Sequence, residues 1–528
     1  MEIREITSNL SVAPQLTEGD VPGLAAAGFR SIICNRPDHE EPGQVEAALI
    51  RTAADKVGLA FEHIPVLSGS ETEADALRMC QALSRLPAPV LAYCRSGTRS
   101  ARLAEMALFC DALAPSRGTY DVVIIGGGSA GIAAAASILR RDSSISLAVV
   151  EPKDEHYYQP GWTMVGAGVF EAGETRRSMC DVLPRRAVRI SAAASAFLPD
   201  EDLVLLSDGT VVRYRALIVC PGITLDWDAI PGLSDTLGQH GVTSNYHFEM
   251  APYTHSLVNS LREGKALFTQ PLMPIKCAGA PQKAMYLASN SWETAGSLAS
   301  IDVQFHNANP TLFGVAEFVP PLMRYIERYR IDLRLRSQLV AIDGPNRKAV
   351  FEHAIGDHTE TREEAFDMIH VVPPQKAPEF IRTSQLAAPS GFVEVDEATL
   401  RHPRYPRIFA LGDACSASNA KTAAAARKQA PVVALNTLAA LRGEEPVACY
   451  DGYGSCPLTV ENGKIVLAEF GYAGRLLPTF PSWLINPQKP SRLAWLLKKN
   501  ILPPVYWQGM LKGREWLASP RMIDSQSQ

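Results

Sequence analysis

None of the ten cysteines is spaced Cys-x-x-Cys, so zinc-finger and thioredoxin-type motifs are missing and no metal site is expected. No apolar run reaches the roughly 18 residues a membrane-crossing helix needs. The first residues carry no charged segment ahead of an apolar one, so no export signal is expected. Basic residues do not predominate: 51 Lys and Arg stand against 56 Asp and Glu, and a net charge of −5 argues against a nucleic-acid partner. Internal repeats and low-complexity tracts are lacking too. These absences leave a globular chain, expected in the cytosol or on the cytosolic face of a membrane. Its composition is ordinary, 46% hydrophobic and 20% charged. Its length suggests about two to four domains. In a reducing compartment most cysteines are expected as free thiols in the core. Cys220 reads as inert core, Cys34, Cys80, Cys110 and Cys180 as core or surface thiols, and Cys449 lies in no motif.

Pro115 and Gly118 punctuate the chain just before a very apolar strand, so a linker is expected at 114–119. Before it, short strands (Ser31 to Cys34, Phe61 to Val66, Pro89 to Tyr93) alternate with amphipathic helices (Ala47 to Val57, Glu73 to Leu86). That alternation implies a parallel sheet in a 1–113 domain. A larger α/β region follows over 120–440. The last stretch, 441–528, mixes Trp, Leu and Ile with Lys and Arg.

Asp121-Val-Val-Ile-Ile-Gly126-Gly127-Gly128-Ser129-Ala130-Gly131 leaves a strand and opens a helix. Gly126 allows the tight turn, Gly128 lets backbone approach a pyrophosphate, and Gly131 allows close helix–strand packing. With Ser129 and Ala130, the helix N-terminus offers N–H donors to phosphates. Glu151, about 20 residues beyond Gly131, stands where a carboxylate takes hydrogen bonds from a ribose. This motif alone does not separate FAD from NAD. A second strand runs into Gly412-Asp413, which resembles the second FAD fingerprint of two-dinucleotide-fold flavoproteins, and the resemblance implies FAD with Asp413 on its ribityl chain. The helix after it begins at Ala420-Lys421-Thr422 and is expected to present its N-terminus to a flavin. After the strand Lys265 to Thr269 there is no second glycine fingerprint, which argues against NAD(P)H as electron donor or acceptor.

Three separated motifs carry a family likeness. Tyr157-Tyr158-Gln159-Pro160-Gly-Trp162, Pro274-Ile-Lys-Cys277-Ala-Gly-Ala-Pro281-Gln282-Lys283 and Lys421-Thr422-Ala-Ala-Ala resemble the sulfide:quinone oxidoreductases, nearest the branch with the mitochondrial enzymes. The likeness implies a two-dinucleotide-fold (Rossmann-type) flavoprotein with FAD, and a redox pair of cysteines beside it. Hydrosulfide would be oxidised to a persulfide or polysulfide, electrons would pass through FAD to a quinone, and a small thiol or sulfite would accept the sulfur. Cys277 falls on the family's first cysteine. Cys415 is expected as the second, one residue later than the family places it, with Cys456 in Gly454-Ser455-Cys456-Pro457 as the alternative. Lys276 is expected to help lower the Cys277 pKa. A type-II NADH:quinone oxidoreductase is the rival reading. The 441–528 region is then expected to dock peripherally on the cytosolic face of the inner membrane. Its apolar and aromatic residues (Trp483 to Ile485, Trp495 to Leu497, Ile501 to Trp507) are interleaved with cations that include Lys498 and Lys499.

At the N-terminal end, Cys94-Arg95-Ser96-Gly97-Thr98-Arg99 links a strand to a helix, a placement that favours a thiolate and binds an anion, with Arg99 adding charge. Its Cys-x4-Arg spacing resembles the rhodanese loop, which carries a persulfide, rather than the Cys-x5-Arg loop of tyrosine phosphatases. The earlier part of this domain looks like the phosphatase-like domain found fused to β-lactamase-fold sulfur enzymes. Sulfur transfer is the expected activity, and tyrosine phosphatase activity the alternative.

Overall fold

The structure is a computed structural model that describes residues 3–109, 116–356 and 358–523. Cys110 and positions 114 and 115 of the expected linker lie outside these. It divides into two compact units, Met1–Thr119 with Ala194–Arg213, and Tyr120–Ala193 with Tyr214–Gln528. The expected linker is in part no linker: 116–119 already belong to the strand Ser116–Ile125.

In the first unit five strands form one sheet, in the order Arg4–Thr7, Leu10–Ala13, Val90–Tyr93, Ser31–Cys34, Ala60–His63. The outermost pair is antiparallel and the others are parallel. Alternate residues feed two cores, as a pleated strand requires. Ile33, Val90 and Ala92 pack on one face, and Ile32, Leu91 and Tyr93 on the other. Thr72 caps the helix Glu73–Arg85 in a reciprocal box with Asp75. A hairpin far along the sequence joins this unit because Leu198, Leu203 and Leu205 pack with Leu77.

In the second unit the sheet order runs Val188–Ile190, Leu147–Val150, Ser116–Ile125, Val211–Val219, and Ile408–Ala410 pairs with the last of these. The buried helix Ser129–Arg141 follows the glycine loop. A second, wholly parallel sheet is ordered Val242–Thr243, Met368–His370, Gly264–Gln270, Ile301–Asn307, Asp332–Leu335. This is the expected pair of Rossmann-type sheets. Two elements were not read from the sequence. One is a three-stranded antiparallel sheet, Ser337–Asp343, Lys348–Ile355 and His358–Ala365. The other is the hairpin Gly454–Glu461 and Lys464–Phe470, which lies against the core beneath the helix Ala280–Ala295. Among the described residues no helix is long and apolar enough to cross a membrane.

Candidate active site

In the second unit a cavity of about 570 Å³ is lined by the glycine loop, by Cys277 and Lys283, and by the C-terminal segment. The loop glycines are there for space. A Cβ on Gly131 would stand 1.9 Å from the Gly126 carbonyl oxygen, and one on Gly126 would stand 2.6 Å from that of Cys220. A Cβ on Gly128 would meet nothing within 4 Å, so that backbone is open to the cavity. Glu151 also braces the loop, accepting from the Gly127 N–H at 2.8 Å. Because nothing can relieve the Gly131 contact, Gly131→Val is expected to give colourless protein, checked by the flavin absorbance of the purified chain.

Gly412 turns at φ 71°, and Asp413 lines the cavity with a carboxylate that makes no hydrogen bond among the described residues. Burial raises the Asp413 pKa. Thr422 caps the helix Ala423–Leu441, accepting from the Ala425 N–H at 3.1 Å. The Lys421 ammonium donates to the carbonyls of Asp413 at 2.8 Å and Cys415 at 3.0 Å, and so holds the Gly412–Asp413 turn. All of these predicted residues except Glu151 line the cavity or, like Gly126 and Gly131, shape its loop.

Cys277 sits at φ 52° in the loop between the strand Gly264–Gln270 and the helix Ala280–Ala295, its N–H tied to the Lys421 carbonyl at 2.8 Å. Lys283 Nζ lies 3.2 Å from its sulfur. Cys277 packs against the core cluster that holds Cys456, and its interaction with the Cys456 thiol, together with Lys283 and Lys498, holds Cys277 well below the ordinary thiol range. The same interaction raises the Cys456 pKa. The structure therefore brings Cys277 against Cys456, not Cys415 as first expected. Cys415 is fully buried, its thiol directed to the Gly412 carbonyl at 3.3 Å, and burial raises its pKa.

The lysine beside the sulfur also differs from the expectation. Lys276 donates to Gln159 at 2.7 Å and lies over the rings of Trp162 and Tyr246. Lys283, one turn into the next helix, makes the contact instead. Lys498, expected among surface cations, is only 2% exposed; it donates to the Pro160 carbonyl at 2.9 Å, and burial pushes it down to about 7. Tyr506 and Trp495 are likewise buried, whereas Trp483, Leu493, Leu496, Ile501 and Leu517 stay exposed.

Residues 120–430 match the pyridine nucleotide-disulphide oxidoreductase family. The chain is 37% identical over 396 residues to the mitochondrial sulfide:quinone oxidoreductase of Dictyostelium discoideum, covering 74% of this chain and 86% of the relative. The mouse enzyme is 34% identical over 421 residues, covering 80% and 92%. The chain belongs to the sulfide:quinone oxidoreductase family. A solved sulfide:quinone oxidoreductase from Aquifex aeolicus superposes with a TM-score of 0.64 at 17% identity, over 75% of this chain and 96% of that one, which shows the shared fold. FAD, the cofactor expected of a sulfide:quinone oxidoreductase, fits the residues present: an open glycine loop at a helix N-terminus, a cavity of dinucleotide size, and the unpaired carboxylate of Asp413.

Residues 2–109 match the phosphatase-like domain of the β-lactamase hydrolase-like protein. Here Cys94 follows the strand Val90–Tyr93 and is buried below the start of the helix Thr98–Phe109. Arg99 does not offer a free charge to this loop. Its guanidinium donates to Glu40 at 2.6 Å and to the carbonyls of Val66 and Asn35. Glu40 also accepts from Arg36, and Glu41 is shared by Arg36 and Arg95. Ser100 stands where a Cys-x5-Arg loop would place its arginine, and its buried hydroxyl has no hydrogen-bond partner among the described residues.

Proposed function

We propose that this chain oxidises sulfide at the Cys277–Cys456 pair, sends the electrons through FAD to a membrane quinone, and passes sulfur on through Cys94. The observation that carries the reading is Cys277 lining the cavity that begins at the glycine loop, with Lys283 Nζ 3.2 Å from its sulfur and Cys456 in the core cluster it packs against. In the oxidised enzyme the two sulfurs form a disulfide. Hydrosulfide attacks one sulfur and expels the other as a thiolate, and the better-stabilised thiolate leaves faster. Lys283 makes Cys277 that leaving group, so the new S–S bond forms on Cys456, which becomes the persulfide. The outer sulfur then passes to a small thiol, to sulfite or, with sulfide alone, to a second hydrosulfide as polysulfide, leaving two reduced cysteines, and loss of two electrons remakes the disulfide. Bound FAD supplies the two-electron acceptor that hands those electrons to quinone.

The exposed Trp483, Leu493, Leu496, Ile501 and Leu517 support peripheral docking at a quinone-bearing membrane, on the cytosolic face of the inner membrane. Anaerobic spectroscopy tests the whole reading. Sulfide should bleach the flavin and a soluble quinone restore it, while NADH does nothing; bleaching by NADH alone would return the rival NADH:quinone reading.

For the first unit the loop length and Ser100 in place of an arginine favour sulfur transfer over phosphatase chemistry. In the full chain, Cys94→Ser is expected to lose the persulfide label on the peptide containing residue 94 after sulfide turnover, while flavin bleaching is kept. Peptide mass spectrometry reads this, and hydrolysis of an aryl phosphate by the parent chain would favour the phosphatase reading instead.

A further inference from the structure

Tyr506 and Ser129 lie 377 positions apart in sequence, yet their hydroxyl oxygens are 2.6 Å apart. On its other side the Tyr506 oxygen is 2.6 Å from Nε2 of His156. Nδ1 of His156 is 3.1 Å from the Gly127 carbonyl oxygen. His156 and Tyr506 are both buried, at 3% and 4% exposure.

These distances fix the direction of each proton. A carbonyl only accepts, so Nδ1 carries the hydrogen. Burial pushes His156 down to about 4, so near neutral pH the ring is uncharged and Nε2 offers a lone pair. Tyr506 therefore donates to Nε2 at 2.6 Å in preference to the Tyr157 carbonyl at 3.5 Å, and its oxygen is left to accept from Ser129. The relay runs from the Ser129 hydroxyl through Tyr506 and His156 to the Gly127 carbonyl. It begins and ends in the glycine loop, and its middle member comes from the C-terminal segment. With its proton committed to Tyr506, Ser129 leaves a bound pyrophosphate to the backbone N–H groups of the loop and helix.

We infer that Tyr506 is a positioning residue for FAD, bracing the glycine loop through Ser129 and His156 so that retention of the cofactor depends on the C-terminal segment. The inference rests on the FAD reading of the cavity. The surroundings of His156 are few in charge. Tyr506 and Trp507 pack on its ring, and Tyr158 lies on Tyr506. Arg177 lies over Trp507, Glu151 is bound to the Gly127 N–H, and the adjacent Glu155 is paired with Arg176 at 3.1 Å.

Linkage sets the pH behaviour. A histidine whose pKa falls from 6.5 in the open chain to about 4 in the closed site favours closure above pH 6.5, and that support is lost progressively as pH falls towards 4. Release of FAD from the holoprotein, followed by the rise of free-flavin fluorescence on dilution between pH 4.5 and 8, is the test. The parent protein should release FAD faster with each step below pH 6.5. Tyr506→Phe keeps the ring but removes the donor on Nε2. It should release FAD roughly tenfold faster at pH 7.5, the effect of one lost buried hydrogen bond, and its pH dependence should be shallower. Ser129→Ala keeps the Tyr506–His156 bond and should release FAD faster while keeping the parent slope. Either variant holding FAD as tightly as the parent, or Tyr506→Phe keeping the parent slope, overturns the inference. A parent protein without flavin overturns the FAD reading instead.

Discussion

Cys456→Ser is expected to lose sulfide-dependent bleaching of the flavin by on the order of a thousandfold or more, as Cys277→Ser does, because either change removes one half of the disulfide. Cys415→Ser is expected to stay within about twofold of the parent, since removal of a group outside the reacting unit takes away no transition-state interaction. Cys415 is buried against the Gly412 carbonyl, and its nearest charge, Lys421, is committed to the Asp413 and Cys415 carbonyls. Stopped-flow absorbance under anaerobic conditions reads all three variants. The two single losses should not add, because two cysteines that act as one disulfide fail together. If Cys415→Ser is the dead variant and Cys456→Ser bleaches normally, the redox pair is the one the sequence first suggested, and the contact of Cys456 with Cys277 is only packing.

The difference between those two assignments shows what a sequence can carry. The glycine loop was legible because its function is local: turn, approach and helix start all fall within Gly126 to Gly131. Cys277 and Gly412-Asp413 were legible for the same reason. The choice between Cys415 and Cys456 was not, because Cys456 lies on the hairpin strand Gly454–Glu461, and only the tertiary fold lays that strand on the helix after Cys277. Gly279 gives the one local clue. A Cβ there would stand 2.3 Å from Leu458 Cδ2 and 3.6 Å from Cys456 Cβ, so the glycine is what admits the strand. Lys498 misled for a different reason. A lysine among leucines and tryptophans reads as a cation at an interface, and burial needs an acceptor that the sequence does not announce; here the Pro160 carbonyl supplies it. Arg99 was placed in the right loop, but its charge is taken up by Glu40, which lies on another loop of the same unit. The α/β class needed no such long-range knowledge, since alternating strands and helices with one glycine fingerprint implied it; the pair of Rossmann-type sheets came from the family likeness.

Lys283→Met is expected to slow sulfide-dependent bleaching about 10- to 100-fold at neutral pH, the range of one lost charge-assisted hydrogen bond to a buried sulfur. Its side chain lies 3.2 Å from the Cys277 sulfur and contributes to holding that thiol well below its ordinary range. The sign of the pH effect follows. A thiol whose pKa is lowered in the fold is ionised at pH values where an ordinary thiol is not, so removing the cation moves ionisation upward. The acid limb of the pH–rate profile should shift to higher pH, and raising the pH should recover part of the lost rate. Lys498 adds a second contribution that fades with pH, because burial brings it to about 7 and it loses its charge above that point. Lys283→Arg, which keeps the charge, should restore most of the rate and return the limb towards its parent position. An unshifted acid limb in Lys283→Met would mean that the Cys456 hydrogen bond alone sets the Cys277 thiolate and that Lys283 serves only to pack the helix.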